Sequence, residues 1–146
     1  GAGQALPHSG NVFISARDAD KPQAVAVAGA LSRAGLGLIA TSGTARALSA
    51  AGLPVREVRK ISEGSPNVGE LIRAGEVDLV INTPRGGSGA RTDGFEIRAA
   101  AIRANIPYIT TIEAARAAAL AIADGGGAHP RALQDLVPSG GAPAGV

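Results

Sequence analysis

Short apolar runs alternate with longer helical patterns along most of the chain. Apolar runs bounded by Gly, Pro or polar residues predict five strands, at 11–15, 35–41, 55–58, 77–82 and 107–110. Segments with helical spacing predict five helices, at 22–35, 44–52, 67–75, 93–105 and 111–124. The alternation predicts an α/β fold: a three-layer sandwich with a five-stranded, mostly parallel sheet and right-handed crossovers.

The two ends of the chain differ from this middle part. Residues 1–10 and 124–146 are rich in Gly, Pro and Ala and carry no sustained period. We therefore expect a linker at 1–10, one domain at 11–123 and a flexible tail at 124–146, with a short helix at 131–137 left open. The opening segment lacks an initiator Met, which fits a piece excised from a longer protein as well as it fits trimming.

Composition limits the function classes. The chain has 146 residues, 2% aromatic side chains and a formal net charge of +2, which does not favour nucleic acid as a partner. It has no Cys, which excludes disulfides, thiol nucleophiles and cysteine metal sites. No apolar run is long enough for a membrane span, and the N-terminus has no signal-peptide pattern. We expect a cytoplasmic domain that contacts neither nucleic acid nor membrane.

Polar loops follow every predicted strand. These loops are 15–21, 41–44, 59–67, 82–93 and 110–111, whereas the opposite connections at 33–37 and 50–54 are short and bland. In open parallel sheets, ligands bind beyond the carboxyl ends of the strands. The asymmetry predicts one ligand-binding edge.

The stretch "TSGT" at 41–44 has the chemistry of a phosphate site. Hydroxyls of Thr41, Ser42 and Thr44 surround Gly43, and the N-terminus of the following helix directs N–H groups and a positive dipole to the same place. Lys21 and Lys60, the only lysines in the chain, lie on the two flanking loops. Two alternatives stay open: Thr41 ends a strand while Thr44 caps a helix, and the lysines are solvated surface charges.

Catalytic groups are sparse. The two histidines, His8 and His129, lie in the predicted linker and tail. Asp20 and Asp93 are favoured as helix caps, and no spacing marks a pair of carboxylates for acid and base work. The Gly-rich loop at 84–92 matches no phosphate or dinucleotide fingerprint and is expected to be mobile. We expect no catalytic residue and no metal site. A ligand-binding edge without catalytic groups suggests a domain that senses its ligand.

Four stretches carry a family resemblance: "VFISARDADK", "LIATSGTARAL", "VRKISEGSPNVGELIRAGEVDLVINTP" and "TDGFEIRAAAIRANIPYITT". Together they resemble the methylglyoxal-synthase-like domain that ends the large subunit of carbamoyl phosphate synthetase, over residues 9–123. The resemblance implies a Rossmann-like or flavodoxin-like allosteric module of a glutamine-hydrolysing ligase in arginine and pyrimidine biosynthesis. It implies that catalytic domains lie upstream and use ATP, Mg²⁺ and K⁺, whereas this domain needs no cofactor. The implied partners are those upstream domains, a small glutaminase subunit and other large subunits.

The resemblance also implies an effector, a nucleoside monophosphate such as UMP or IMP. The family's phosphate contacts correspond to Lys21, Thr41, Thr44 and Lys60, and its base and ribose contacts to Ser15 and Asn82, with Thr83 beside it. Thr110 matches a domain-interface contact of ornithine-regulated members, although Ile109 replaces their acidic residue. Pro84 replaces a hydroxyl residue of some members, and the following loop is less basic than theirs, so the preferred base stays open.

Relatives of this domain provide competing hypotheses. Methylglyoxal synthase acts on dihydroxyacetone phosphate, but its catalytic aspartate and two histidines correspond to Ser65, Ala90 and Arg17 here. The IMP cyclohydrolase domain shares "GTAR" and lacks "SEGSPN" and "INTP". A third hypothesis is a purely oligomerising module. The chain is therefore expected to be a regulatory domain without an activity of its own.

Overall fold

The computed structural model describes residues 6–83 and 88–127, and for 88–93 and 125–127 it describes the backbone alone. The strands are β1 (Asn11–Ser15), β2 (Gly37–Ala40), β3 (Arg56–Glu57), β4 (Leu79–Asn82) and β5 (Tyr108–Ile109). The helices are α1 (Lys21–Arg33), α2 (Ser42–Ala50), α3 (Val68–Arg73), α4 (Ser88–Arg103) and α5 (Ile112–Gly127). Short 3₁₀ turns at Asp18–Asp20 and Ile61–Glu63 precede α1 and α3.

All strand pairs are parallel, and the strand order is β3-β2-β1-β4-β5. β1 lies at the centre: its Ile14 pairs with Ala40 of β2 and with Ile81 of β4. The chain builds outward from β1 in one direction through β2 and β3, and then returns to add β4 and β5 on the other side. The carboxyl ends of all five strands consequently meet at one edge of the sheet.

Side-chain alternation along the strands produces two apolar layers. In β1, Val12 and Ile14 pack with α1, α2 and α5 on one face, whereas Phe13 packs with α3 and α4 on the other. Because successive strand residues point to opposite faces, one apolar strand serves both layers. The result is a three-layer α/β/α sandwich whose core is almost entirely aliphatic.

Local sequence signals fix several element ends. Asn67 and Glu70 form a reciprocal capping box at the start of α3, where the Asn67 side chain accepts the Glu70 N–H and the Glu70 carboxylate accepts the Asn67 N–H. Pro22 lies in the first turn of α1, where a missing N–H costs no helical hydrogen bond. Gly35 ends that helix with a φ of +102°, a conformation that favours glycine.

The predicted α/β sandwich and its five strands are confirmed, with the sheet fully parallel. β3 is shorter than predicted, because it is an edge strand and pairs on one side only. The predicted start of α4 at Asp93 is wrong: the helix begins at Ser88, so Asp93 does not cap it, and 88–92 are not a loop. Glycine lowers helix propensity by only about 1 kcal/mol per residue, which a helix anchored in the core at Ile97, Ala100 and Ala101 can offset.

The predicted ends lie largely beyond the described part of the chain. α5 continues to Gly127, past the predicted boundary at 124, and 128–146, including the possible helix at 131–137, lie outside the described residues. The same holds for 1–5, Pro84 and His129. Among the described residues, no helix is both long and apolar enough to span a membrane.

Candidate functional site

A row of polar side chains crosses the carboxyl edge of the sheet. Ser15 ends β1 and pairs with Asn82 at the end of β4, and Thr41 follows the last residue of β2 at the same level. Thr41 is only 1% exposed, and its hydroxyl donates to Ser15 Oγ at 3.4 Å. Hydroxyl and amide groups of three adjacent strands therefore form the floor of the predicted ligand edge.

Lys21 extends from the start of α1 towards this edge. Its ammonium group donates to the carbonyl oxygen of Ala16 at 3.2 Å and to Asp18 Oδ1 at 2.5 Å. The lysine side chain is 18% exposed, whereas that of Asp18 is 98% exposed. A Cβ placed on Gly43 would lie 3.7 Å from Lys21 Nζ, so the ammonium stands directly beside the first turn of α2.

Thr44 connects the first loop to α2. It is fully buried, and its Oγ1 accepts the Ala16 N–H at 3.0 Å. The alternative that Thr44 caps the helix is wrong, because α2 begins at Ser42 and Thr41 occupies the cap position without a side-chain cap bond. Thr44 therefore holds the Ala16 backbone, and hence the Lys21 acceptor, in register with α2.

The first turn of α2 presents backbone donors beside the ammonium group. The first N–H groups of any α-helix lack intrahelical acceptors. In α2 the first N–H group with such an acceptor is that of Ala45, which donates to the Thr41 carbonyl at 2.7 Å. The N–H groups of Ser42, Gly43 and Thr44 thus lie at the positive end of the nine-residue helix. This combination of donors and a cation suits a phosphate group.

Thr83 links the loops on either side of the point where the strand order reverses. Its Oγ1 accepts the Arg17 N–H at 3.0 Å, and its own N–H donates to the Ser15 carbonyl at 2.9 Å. The Arg17 side chain pairs with Asp20 at 2.9 Å. Asp20 occupies the predicted cap position of α1, but its side chain makes no cap bond because it accepts from Arg17. Loops after β1 and β4 are thereby fixed at the switch point, where open α/β sheets bind ligands.

Tyr108 joins the site unexpectedly. Asn82 Nδ2 donates to the Tyr108 hydroxyl at 3.2 Å, and that hydroxyl donates to the Gly94 carbonyl at 3.3 Å. The tyrosine links the predicted base-side amide to α4. In the sequence Tyr108 belongs to the predicted strand at 107–110, and the one signal for a further role is that it is the sole tyrosine in the chain.

Lys60 and Thr110 lie further along the same edge. Lys60 precedes a 3₁₀ turn after β3, and its backbone N–H donates to Glu63 at 2.8 Å. Thr110 is exposed at the end of β5. The hydrogen bonds above unite Ser15, Lys21, Thr41, Thr44 and Thr83 around the loop after β1, and Lys60 stands one loop away from this cluster.

The described residues offer little for acid–base or metal chemistry. Asp18 and Asp20 pair with cations, and the Ser65 hydroxyl donates to the Glu70 carboxylate at 2.9 Å. Within the described ranges, no group of three or more His, Asp or Glu side chains could hold a metal ion. The donors at this edge can bind an anion and orient it.

Comparison with known proteins reveals close relatives. The chain is 54% identical over 121 residues to the carbamoyl phosphate synthase large chain, C-terminal section, of Methanopyrus kandleri, covering 83% of this chain and 22% of that protein. It is 52% identical over 117 residues to the carbamoyl phosphate synthase large chain of Methanothrix thermoacetophila, covering 80% of this chain and 11% of that protein. The chain thus spans about a fifth or less of these relatives' length.

A solved structure and a family model agree with the fold. The crystal structure of methylglyoxal synthase from Elizabethkingia anophelis superposes with a TM-score of 0.60 at 23% identity, covering 82% of this chain and 80% of that one. The family model described as the MGS-like domain matches residues 23–110, more than half of the chain. The chain therefore belongs to the MGS-like domain family.

Proposed function

We propose that this chain is the allosteric regulatory domain of a carbamoyl phosphate synthase large chain and that it binds a nucleoside monophosphate, UMP or IMP. The relatives' names support the parent protein. The observation that carries the binding proposal is the Lys21 ammonium beside the open first turn of α2. The phosphate would lie there, with Thr41, Ser42, Gly43, Thr44 and Lys60 around it.

The base and ribose would lie along the floor formed by Ser15, Asn82 and Thr83. The position of these residues at the ends of β1 and β4, next to the proposed phosphate donors, supports this part of the proposal. The phosphate site supplies most of the affinity because its hydrogen bonds are charge-assisted, and the floor supplies the choice of base.

Regulation requires more than binding. A ligand shifts an equilibrium only by binding two states unequally, so the effector must favour one arrangement of the synthase over another. We propose that catalysis, with ATP, Mg²⁺ and K⁺, belongs to upstream domains, that the domain itself needs no cofactor, and that a small glutaminase subunit completes the enzyme. Thr110 is the proposed contact to a neighbouring domain.

The experiment is a calorimetric titration of this chain with UMP and IMP, with inorganic phosphate, uridine and inosine as controls. Saturable binding of a nucleotide that is tighter than that of phosphate or nucleoside supports the proposal. Dihydroxyacetone phosphate turnover, measured in parallel, tests the methylglyoxal synthase alternative. Turnover, or a failure of both nucleotides to bind, would contradict the proposal.

A further inference from the structure

Tyr108 lies on the same face of the sheet as the floor of the ligand edge. It pairs with Val80 of β4, and Phe13 of β1 pairs with the same Val80. Because side chains alternate along a strand, Ser15 and Asn82, each two residues further on, point to this same face. Tyr108 packs in the apolar layer of that face, and its hydroxyl reaches Asn82 at the carboxyl end of β4.

The Tyr108 hydroxyl fixes which way the Asn82 amide points. It accepts from Asn82 Nδ2 at 3.2 Å and donates to the Gly94 carbonyl at 3.3 Å. Because its single proton is used towards Gly94, the hydroxyl can only accept from the amide. The reversed amide would set Oδ1 against the hydroxyl oxygen, acceptor against acceptor. Gly94 also stands close on this side, since a Cβ there would lie 3.6 Å from Asn82 Nδ2.

The fixed amide leaves an acceptor next to a donor. Asn82 Oδ1 lies on the side of the amide away from Tyr108 and β5, and β1 is the neighbouring strand on that side. Ser15 is 8% exposed, and its Oγ accepts from Thr41, so the Ser15 proton is left to donate. Among the hydrogen bonds of the described residues, none joins Ser15 to Asn82. The two residues, which are partners across β1 and β4, thus present a donor and an acceptor side by side.

We propose, building on the nucleotide site proposed above, that Tyr108 is a positioning residue through which this pair selects bases with an N–H next to a C=O. Asn82 Oδ1 accepts the ring N–H, and the Ser15 hydroxyl donates to the neighbouring carbonyl oxygen. Uracil has this edge at N3 and O4, and hypoxanthine has it at N1 and O6. Cytosine and adenine carry an unprotonated ring nitrogen beside an amino group, so acceptor meets acceptor and donor meets donor.

This selection accounts for a site that takes both nucleotides of the proposed function. Uracil and hypoxanthine share the edge, although one is a pyrimidine and the other a purine. The phosphate donors cannot distinguish UMP from CMP, because the phosphate and the ribose are identical in the two nucleotides. Without the Tyr108 hydroxyl, the Asn82 amide can rotate and match either edge. Tyr108 therefore acts on the choice of base, and it does so through Asn82.

Calorimetric titration of this chain and of Tyr108→Phe with UMP, CMP and inorganic phosphate tests the proposal. The wild-type chain is expected to bind UMP about 5- to 150-fold more tightly than CMP, the discrimination typical of one bidentate pair. In Tyr108→Phe this ratio should fall towards one while phosphate binding is unchanged, because phenylalanine keeps the ring that packs in the apolar layer. Thermal melting checks that the variant is folded, and IMP and AMP give the same comparison for purines.

Asn82→Asp separates positioning from a merely structural role. A carboxylate offers an acceptor in either orientation, so adding Tyr108→Phe to this variant should leave the UMP to CMP ratio unchanged. Equal wild-type affinities for UMP and CMP overturn the proposal, and so does a Tyr108→Phe variant that loses affinity for both equally. Those results leave the proposed function standing, since both nucleotides still bind. If no nucleotide binds more tightly than inorganic phosphate, the proposed function fails and the role of Tyr108 fails with it.

Discussion

Gly43→Ala separates the fold from the proposed phosphate site. An added Cβ would lie 3.7 Å from Lys21 Nζ and 3.8 Å from its Cε, which are ordinary van der Waals distances. The fold can therefore accept the methyl group without a clash. Alanine also favours a helix over glycine by up to about 1 kcal/mol, so the free energy of unfolding should stay constant or rise.

The same methyl group should weaken nucleotide binding. It occupies the space between the α2 backbone and the Lys21 ammonium, where a phosphate oxygen would accept from both. Losing at least one hydrogen bond to a charged group costs about 1.5–3 kcal/mol, or about a 10- to 150-fold rise in Kd. Nucleotide affinity is thus expected to fall while the free energy of unfolding stays constant or rises.

Calorimetric titration and thermal melting of the same samples provide the assay. Gly29→Ala is the matched control: it makes the same change inside α1, where the Cβ would lie 3.3 Å from the mobile end of Arg33. Gly29 is eight residues from Lys21, or about 12 Å along the helix, so nucleotide binding should not change. Wild-type affinity in Gly43→Ala would show that the phosphate does not lie at the first turn of α2.

Three further substitutions probe the same edge. Lys21→Met should weaken nucleotide binding by about 1.5–3 kcal/mol in calorimetry, and unchanged affinity would remove the lysine from the site. Thr44→Val removes the buried hydroxyl that accepts the Ala16 N–H and should lower the free energy of unfolding by about 1–3 kcal/mol in urea denaturation, whereas Thr44→Ser keeps the hydroxyl and should cost less. Asp18→Asn removes the carboxylate that competes for Lys21 and should tighten binding of inorganic phosphate about two- to fivefold, while equal or weaker binding would contradict this competition.

The strands were predictable because their apolar runs are set by burial on both faces of the sheet. β1 matches its predicted range, since the central strand is enclosed completely. β3 pairs with one neighbouring strand only, and its two residues are exposed, so the strand is shorter than the range of 55–58 predicted from sequence. α4 shows the opposite effect: local glycines argue against a helix by propensity, yet the helix begins at Ser88.

The location of the site followed from topology, but its contacts did not. Parallel strands bring their carboxyl ends to one edge, so Thr41, Lys21 and Asn82 could be assigned to that edge from sequence. The Thr44 bond to the Ala16 N–H and the Tyr108 bond to Asn82 join residues 28 and 26 positions apart. Such contacts depend on side-chain reach across the folded edge, which neither spacing nor periodicity encodes.

The proposed phosphate binding at this edge would exchange one set of hydrogen-bond partners for another. Lys21 already donates to the Ala16 carbonyl and to Asp18, so an incoming phosphate gains only the difference between its own contacts and these. The Ala16 carbonyl is held in place by the buried Thr44 bond, whereas the Asp18 side chain is almost wholly exposed and is cheaply displaced. The buried partner keeps the ammonium in position, and the exposed partner is the one that the proposed phosphate would displace. Affinity at this edge is therefore expected to depend on how firmly Thr44 fixes the Ala16 backbone as well as on Lys21 itself.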